Sequence, residues 1–158
     1  MLTYSEALAK ILADARPVAE AETIPLMYST NRVLAQDVVS PMAVPGWDNS
    51  QMDGYAVRAA DLAAASETNP VVLPVAERII AGSVGKPVEA GTCARIFTGA
   101  PMPEGADTVV PQEEVTVTEA GVHFTKVPKQ GSWVRRIGSD IAVGATILRA
   151  GDRLTPSR

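Results

Sequence analysis

Glycine and proline break the middle of the chain into short apolar runs, and this punctuation most limits what the chain can fold into. Val71 to Ala76, Arg78 to Ile80, Cys93 to Phe97 and Thr108 to Val110 are apolar and partly β-branched, with Gly and Pro between them. Proline removes a backbone donor and glycine weakens an element interior, so the pattern predicts short strands joined by turns. Val115-Thr116-Val117 and Val122-His123-Phe124 alternate around Glu119-Ala120-Gly121 and predict a hairpin. Thr146 to Leu148 and Arg153 to Thr155, either side of Ala150-Gly151-Asp152, predict another. Tyr55 to Val57 reads as a strand and Ala59 to Ala65 as a short helix.

The start of the chain is different. Thr3 and Glu6 have capping-box spacing, Leu8, Ile11, Leu12 and Ala15 form an apolar stripe, and Pro17 follows, so a core-packing helix is expected over 3–16, with a dimer contact as the alternative. Glu22 to Met27 reads as an edge strand around Pro25, and Ser29-Thr30-Asn31 as the cap of a helical turn through Leu34. The expected fold class is α+β and β-rich. Aromatics are only 4% of residues, so Val, Ile, Leu and Ala must build the core.

Charge and composition remove several functions. With 14 Lys and Arg against 18 Asp and Glu, the net charge of −4 argues against a general nucleic-acid binder. One Cys and one His exclude an internal disulfide and a structural zinc site of four N/S ligands. A Ser-His-Asp triad would need His123, which reads as a half-exposed strand residue, and Cys93 reads as a buried structural thiol. No apolar run approaches ~18 residues, so no membrane helix is expected. The first residues carry no basic segment of a secretory signal, so a cytoplasmic chain is expected.

Three clusters could carry chemistry. In Asp48-Asn49-Ser50-Gln51-Met52-Asp53-Gly54-Tyr55, the two aspartates could hold a hard cation and Gly54 would let the backbone approach a ligand; the alternative is a self-capped turn. In Phe97-Thr98-Gly99-Ala100-Pro101-Met102-Pro103-Glu104-Gly105-Ala106-Asp107, the Thr98 hydroxyl and Gly99 amide suit an oxyanion; the alternative is a proline-fixed connection. In Arg135-Arg136-Ile137-Gly138-Ser139-Asp140, an extended backbone would point the two guanidiniums to opposite faces, leaving at most one for a given site. Asp140 could pair with an arginine or bind metal; a surface salt bridge is the plainer reading. Trp47 and Trp133 flank these clusters and are expected to pack, with the wall of a pocket as the alternative.

In this order, the clusters resemble the molybdopterin molybdotransferases, the MoeA and gephyrin E-domain family. The resembling stretches are Asp37 to Pro41, Pro45 to Val57, Ala90 to Val110, Gln112-Glu113, Arg135 to Asp140 and Gly144 to Leu154. The resemblance implies an elongated dimerisation domain made from 1–45 and 144–158, with a β-rich domain inserted at 46–143. It implies a homodimer that takes adenylylated molybdopterin and molybdate, cleaves the adenylyl bond with Mg²⁺ and releases AMP. It places catalytic or metal roles on Asp53 and Asp140. It places substrate contacts on Thr98, Gly99, Arg135 or Arg136, Ser139 and Ser50. Family members continue into a pterin-binding domain that completes the site from the other subunit. This chain is therefore expected to be a truncated or fragmentary half-site, inactive alone. A non-catalytic dimerisation or scaffold module is the alternative.

Overall fold

A computed structural model describes residues 2–16, 18 and 20–157. The chain is strand-rich with few helices and divides into two compact units, residues 1–38 with 148–158, and 39–147.

In the first unit the one α-helix among the described residues is α1 (Tyr4–Asp14). Its capping box forms as the spacing predicts: Thr3 Oγ1 accepts from the Glu6 amide, and the Thr3 amide donates to Glu6 at 2.8 Å. Pro17, expected to end this helix, lies outside the described residues. None of the helix is buried, so the core-packing role expected of its stripe is not seen. Leu8, Ile11 and Leu12 are all exposed.

Two local expectations fail here. Leu26–Tyr28 is a 3₁₀ turn and not the end of a strand, because Pro25 fixes the entry and its carbonyl accepts from Tyr28. No helix follows Ser29-Thr30-Asn31. Asn31 is left-handed (φ 69°), and the chain beyond it pairs with the C-terminal segment. Val33 bridges Arg153, the Leu34 amide donates to Asp152, and Leu154 donates to Arg32. The hairpin expected over 146–155 is corrected for the same reason. Its turn exists, but β11 (Thr146–Leu148) pairs with β1 (Val38–Val39) and Arg153 with Val33, so both arms bond to distant chain.

The second unit holds two larger sheets. β3 (Gly54–Val57), β5 (Val75–Ile79), β6 (Cys93–Ile96) and β7 (Thr108–Pro111) form one in the order β5-β6-β3-β7, with β5 and β6 parallel. β4 (Val71–Leu73), β8 (Val115–Thr118) and β9 (Gly121–Phe124) form the other in the order β4-β9-β8, and β8-β9 is the expected hairpin. The break between β4 and β5 falls at Pro74, not at Glu77. There the chain leaves one sheet for the other, where a missing amide is least costly. The helix expected at 59–65 is a 3₁₀ turn, Ala59–Leu62.

Alternation along the strands builds two cores. Tyr55, Val57, Cys93 and Val110 face Leu73, Val122 and Phe124 of the second sheet, and Tyr55 meets Phe124 edge-on at 6.3 Å. Ala56, Ala94, Ile96 and Val109 face the other way, with Ile79, Val88, Ala100 and Val134. Cys93 lies in the first core, where burial pushes its thiol up to about 12, so no thiolate nucleophile exists at neutral pH. The packing expected of Trp47 and Trp133 is corrected: they are 56% and 43% exposed, because both sit on loops outside these cores.

Gly54 is placed by close approach. A Cβ there would sit 2.2 Å from the Val110 carbonyl oxygen of β7. The backbone it admits is a neighbouring strand, not a ligand. Gly54→Ala should therefore lower the thermal unfolding midpoint by roughly 10 °C or prevent folding, an overpacking cost of about 1–3 kcal/mol or more. Gly46→Ala, with nothing within 4 Å of the added carbon, should leave the midpoint nearly unchanged.

Candidate functional site

The three polar clusters meet on the segment leading into β3. Asn49–Ser50 is a two-residue strand, β2, pairing antiparallel with β10 (Val134–Arg135) in the register Val134↔Ser50 and Arg135↔Asn49. Its other edge bonds the Thr98 loop. The Ser50 amide donates to Ala100, Gly99 donates to Ser50, and Met102 donates to Asp48. The first cluster thus lies between the second and the third.

Each end of the segment carries an aspartate tied to a different cluster. Asp53 Oδ1 accepts from the Thr98 amide at 2.9 Å and the Thr98 hydroxyl at 2.8 Å. These bonds, with a further pull from the Arg95 charge, hold its carboxyl below the usual range despite a small desolvation penalty. Asp48 accepts from Arg136 Nη1 at 2.5 Å and the Ile137 amide at 2.7 Å. Burial opposes ionisation of Asp48, but the Ile137 and Arg136 bonds and the arginine charge outweigh it, and its carboxyl is also lowered. Asp48 is an ion-pair partner here, not a cation ligand.

The remaining site residues are placed as follows. Arg135 pairs with Asp140, which also accepts from the Ser139 hydroxyl at 3.3 Å. The two arginines take different partners, but each has its own carboxylate and neither is free. Ser50 is 1% exposed and its hydroxyl donates to the Met52 carbonyl at 2.6 Å, so it closes the turn where a substrate contact was expected. The Gly99 amide is likewise engaged, on the Ser50 carbonyl at 2.8 Å, and does not offer the oxyanion contact its sequence position suggests. Its backbone is left-handed (φ 81°), the conformation glycine adopts without cost.

Two residues were not singled out from the sequence. Arg95, on β6, donates to the Gly54 carbonyl at 2.8 Å and to Gln112, and stacks over Phe97 and Tyr55 at 4.5 and 5.2 Å. Asp107 collects the Ala59 amide, the Thr108 hydroxyl and Gln130. Arg95 lies in an apolar run where pattern reading sees only core, and its signal was an ionisable residue within a run meant for burial. Asp107 closes the polar loop of the second cluster, just before β7.

These features define a class: a strand-rich module whose polar loops converge on one short ladder and carry carboxylates, hydroxyls and guanidiniums. No group of three or more His, Cys, Asp or Glu that could hold a metal occurs among the described residues. No helix among them is long and apolar enough to cross a membrane. The family model described as the MoeA N-terminal region (domain I and II) matches residues 2–158, and the chain belongs to that family. It is 39% identical over 161 residues to the molybdopterin molybdenumtransferase of Synechococcus elongatus, covering 99% of this chain and 40% of that protein. It is 42% identical over 158 residues to molybdopterin molybdenumtransferase 2 of Mycobacterium tuberculosis, covering 98% and 37%. The crystal structure of the molybdopterin biosynthesis MoeA protein from Pyrococcus horikoshii OT3 superposes with a TM-score of 0.93 at 34% identity, covering 99% of this chain and 42% of that one. The chain spans about 40% of the length of these relatives.

The Asp53–Thr98 pair gives a pH prediction. The folded pKa of Asp53 is depressed, so its contribution to stability is present above the unfolded value and lost as pH falls through the folded one. A carboxyl titration by NMR should find Asp53 below the usual aspartate range. Thr98→Val should move it upward only partly, because the Thr98 amide bond remains. An ordinary Asp53 value in the wild type would contradict the bonding described.

Proposed function

We propose that this chain supplies one half of a molybdopterin molybdotransferase site, which takes adenylylated molybdopterin and molybdate, releases AMP and leaves molybdenum on the dithiolene. The observation that carries this reading is the Asp53–Thr98 bond. It joins the two loops on which the family resemblance is most detailed and keeps a carboxylate ionised beside a hydroxyl. Thr98 can turn its hydroxyl from Asp53 to an anionic substrate without moving the backbone. The Arg135–Asp140 and Arg136–Asp48 pairs hold guanidiniums at the same ladder, where an anion can compete for them.

Mg²⁺ fits at Asp53. Its Oδ2 has no hydrogen bond among the described residues, and Mg²⁺ commonly takes one or two carboxylates, with waters and substrate phosphates completing its shell. When bound, it would neutralise charge on the adenylyl pyrophosphate bond. Asp140 suits that role less, since both its oxygens are engaged, and it serves to hold Arg135.

In this reading the chain works as a homodimer, with the pterin-binding domain of the other subunit completing the site. The exposed apolar stripe of α1 supports a contact between copies, since contiguous apolar surface of this kind marks interaction sites. The stripe also favours a second reading, a non-catalytic dimerisation module. The internal engagement of most expected anion donors points the same way.

Three measurements separate these readings. The chain alone, given adenylylated molybdopterin and molybdate, should release no AMP. A chimera carrying the C-terminal part of the Mycobacterium tuberculosis relative should release it, and Asp53→Asn should slow it about a hundredfold. Release by the chain alone at the chimera's rate would overturn the half-site, and full activity in Asp53→Asn would overturn the role of Asp53. Light scattering should find a dimer that Leu12→Glu dissociates; a monomer at all concentrations would overturn the α1 contact.

A further inference from the structure

The donor inventory of the site leaves one guanidinium apart. The Thr98 amide and hydroxyl are on Asp53, the Gly99 amide on Ser50, the Ser50 hydroxyl on Met52, Arg135 on Asp140 and Arg136 on Asp48. Arg95 is held by the Gly54 and Ile96 carbonyls and Gln112. Arg78 differs: among the described residues it has no hydrogen bond and no ion pair, and its only partner is the Phe97 ring, 4.7 Å from the guanidinium carbon.

Its position follows from the sheet. Arg78 on β5 is the register partner of Arg95 on β6, so both guanidiniums lie on one face, where Phe97 also presents its ring to both. The parallel ladder continues past the strands, with the Phe97 amide donating to Ile79. Beyond it the loop stays close to the end of β5, since a Cβ on Gly99 would touch Ala81 at 4.0 Å. Arg78 is exposed, so its fork of N–H donors is free for a ligand. The ring contact restrains the guanidinium, and a restrained planar fork suits an oxyanion better than a mobile ammonium does. Arg95 on the same ring adds a second positive charge that further favours an anion.

We propose that Arg78, held over Phe97 beside the Thr98-Gly99 loop, supplies the free anion-binding guanidinium of this site and takes a tetrahedral oxyanion, either free or as a phosphate ester. This rests on the reading above that the site receives an anionic substrate.

The test is a titration of the ¹⁵N-labelled chain with inorganic phosphate, molybdate and ADP, following the Arg78 side-chain N–H and the amides of Phe97 to Ala100. A saturable shift is expected with at least one probe. Saturation with phosphate or molybdate marks a free oxyanion, and saturation with ADP alone marks an ester. Arg78→Ala should weaken binding about tenfold or more, Arg78→Lys should restore part of it, and Phe97→Leu should weaken it less than Arg78→Ala. Arg149→Ala, which removes one positive charge from the other unit, should change nothing. Should Arg78→Ala fail to give a folded spectrum, Arg78→Gln takes its place. No saturation with any probe, or equal affinity in the Arg78 variant, overturns the proposal. Loss of binding in Arg78→Ala together with an inactive chimera would keep this inference and remove the functional reading. An active chimera with unchanged binding in Arg78→Ala would do the reverse.

Discussion

The two-residue ladder at Asn49–Ser50 is the constraint on which the second unit depends. Ser50 is almost fully buried, so its backbone groups must be bonded within the protein. Both bond the Gly99-Ala100 turn, while on the segment's other edge Ser50 lies in register with Val134 and the Gln51 amide donates to the Trp133 carbonyl. The side chain closes the turn on Met52, leaving no buried polar atom unsatisfied there. Two stretches distant in sequence are thereby held to hydrogen-bond distance of one central segment. Asp48 and Asp53 add ionic ties at either end of the same segment. Few residues carry this junction, so its cost of disruption is concentrated on backbone groups that no side-chain substitution can replace.

Such a junction leaves most polar groups of the site internally satisfied. This has a physical consequence for binding. A ligand that takes the Thr98 hydroxyl or an arginine must exchange one charge-assisted bond for another, so the net gain is smaller than the new bond alone. The exposed arginine–aspartate pairs are the easier ones to exchange, because water and salt already weaken them. The pairing therefore orients the guanidiniums more than it stabilises the fold. An unpaired cation such as Arg78 gains a bond without giving one up, and stacking on Phe97 limits the entropy it loses on binding.

Much of the strand plan was legible because alternation and turn residues are local signals. β3, β6, β7 and the β8-β9 hairpin follow from runs of β-branched residues between glycines and prolines, and the α1 cap follows from Thr3 and Glu6. Where the sequence misled, the deciding partner was distant. Thr146 to Thr155 has the turn of a hairpin, yet its arms bond residues 31–39, and no local pattern reveals that exchange. Trp47 and Trp133 are apolar enough to be core, but their loops leave them outside it, and Trp133 sits in a left-handed turn (φ 58°). The site clusters were legible as clusters. Their bonding was not, because whether Gly99 offers its amide to a ligand or to Ser50 depends on a ladder formed between residues about fifty positions apart.

The adjacent arginines show how far a local argument reaches. Extended backbone sends successive side chains to opposite faces, and Arg135 and Arg136 do take different partners. The further step, that one of them would then be a free clamp for an anion, does not follow. Alternation fixes direction, whereas freedom depends on what lies in each direction, and here a carboxylate lies in both. Asp140 is five residues from Arg135 and could be anticipated; Asp48 is eighty-eight from Arg136 and could not. Arg78 is the converse. Its sequence surroundings, Glu77 before and Ile79 after, suggest a charge within reach of its own partner. On the strand, however, Glu77 points to the other face and bonds the Lys86 amide, so it leaves Arg78 without a counter-ion among the described residues. Strand period thus removes a neighbour's charge as surely as it supplies a direction, and the free cation of the site arises from that geometry.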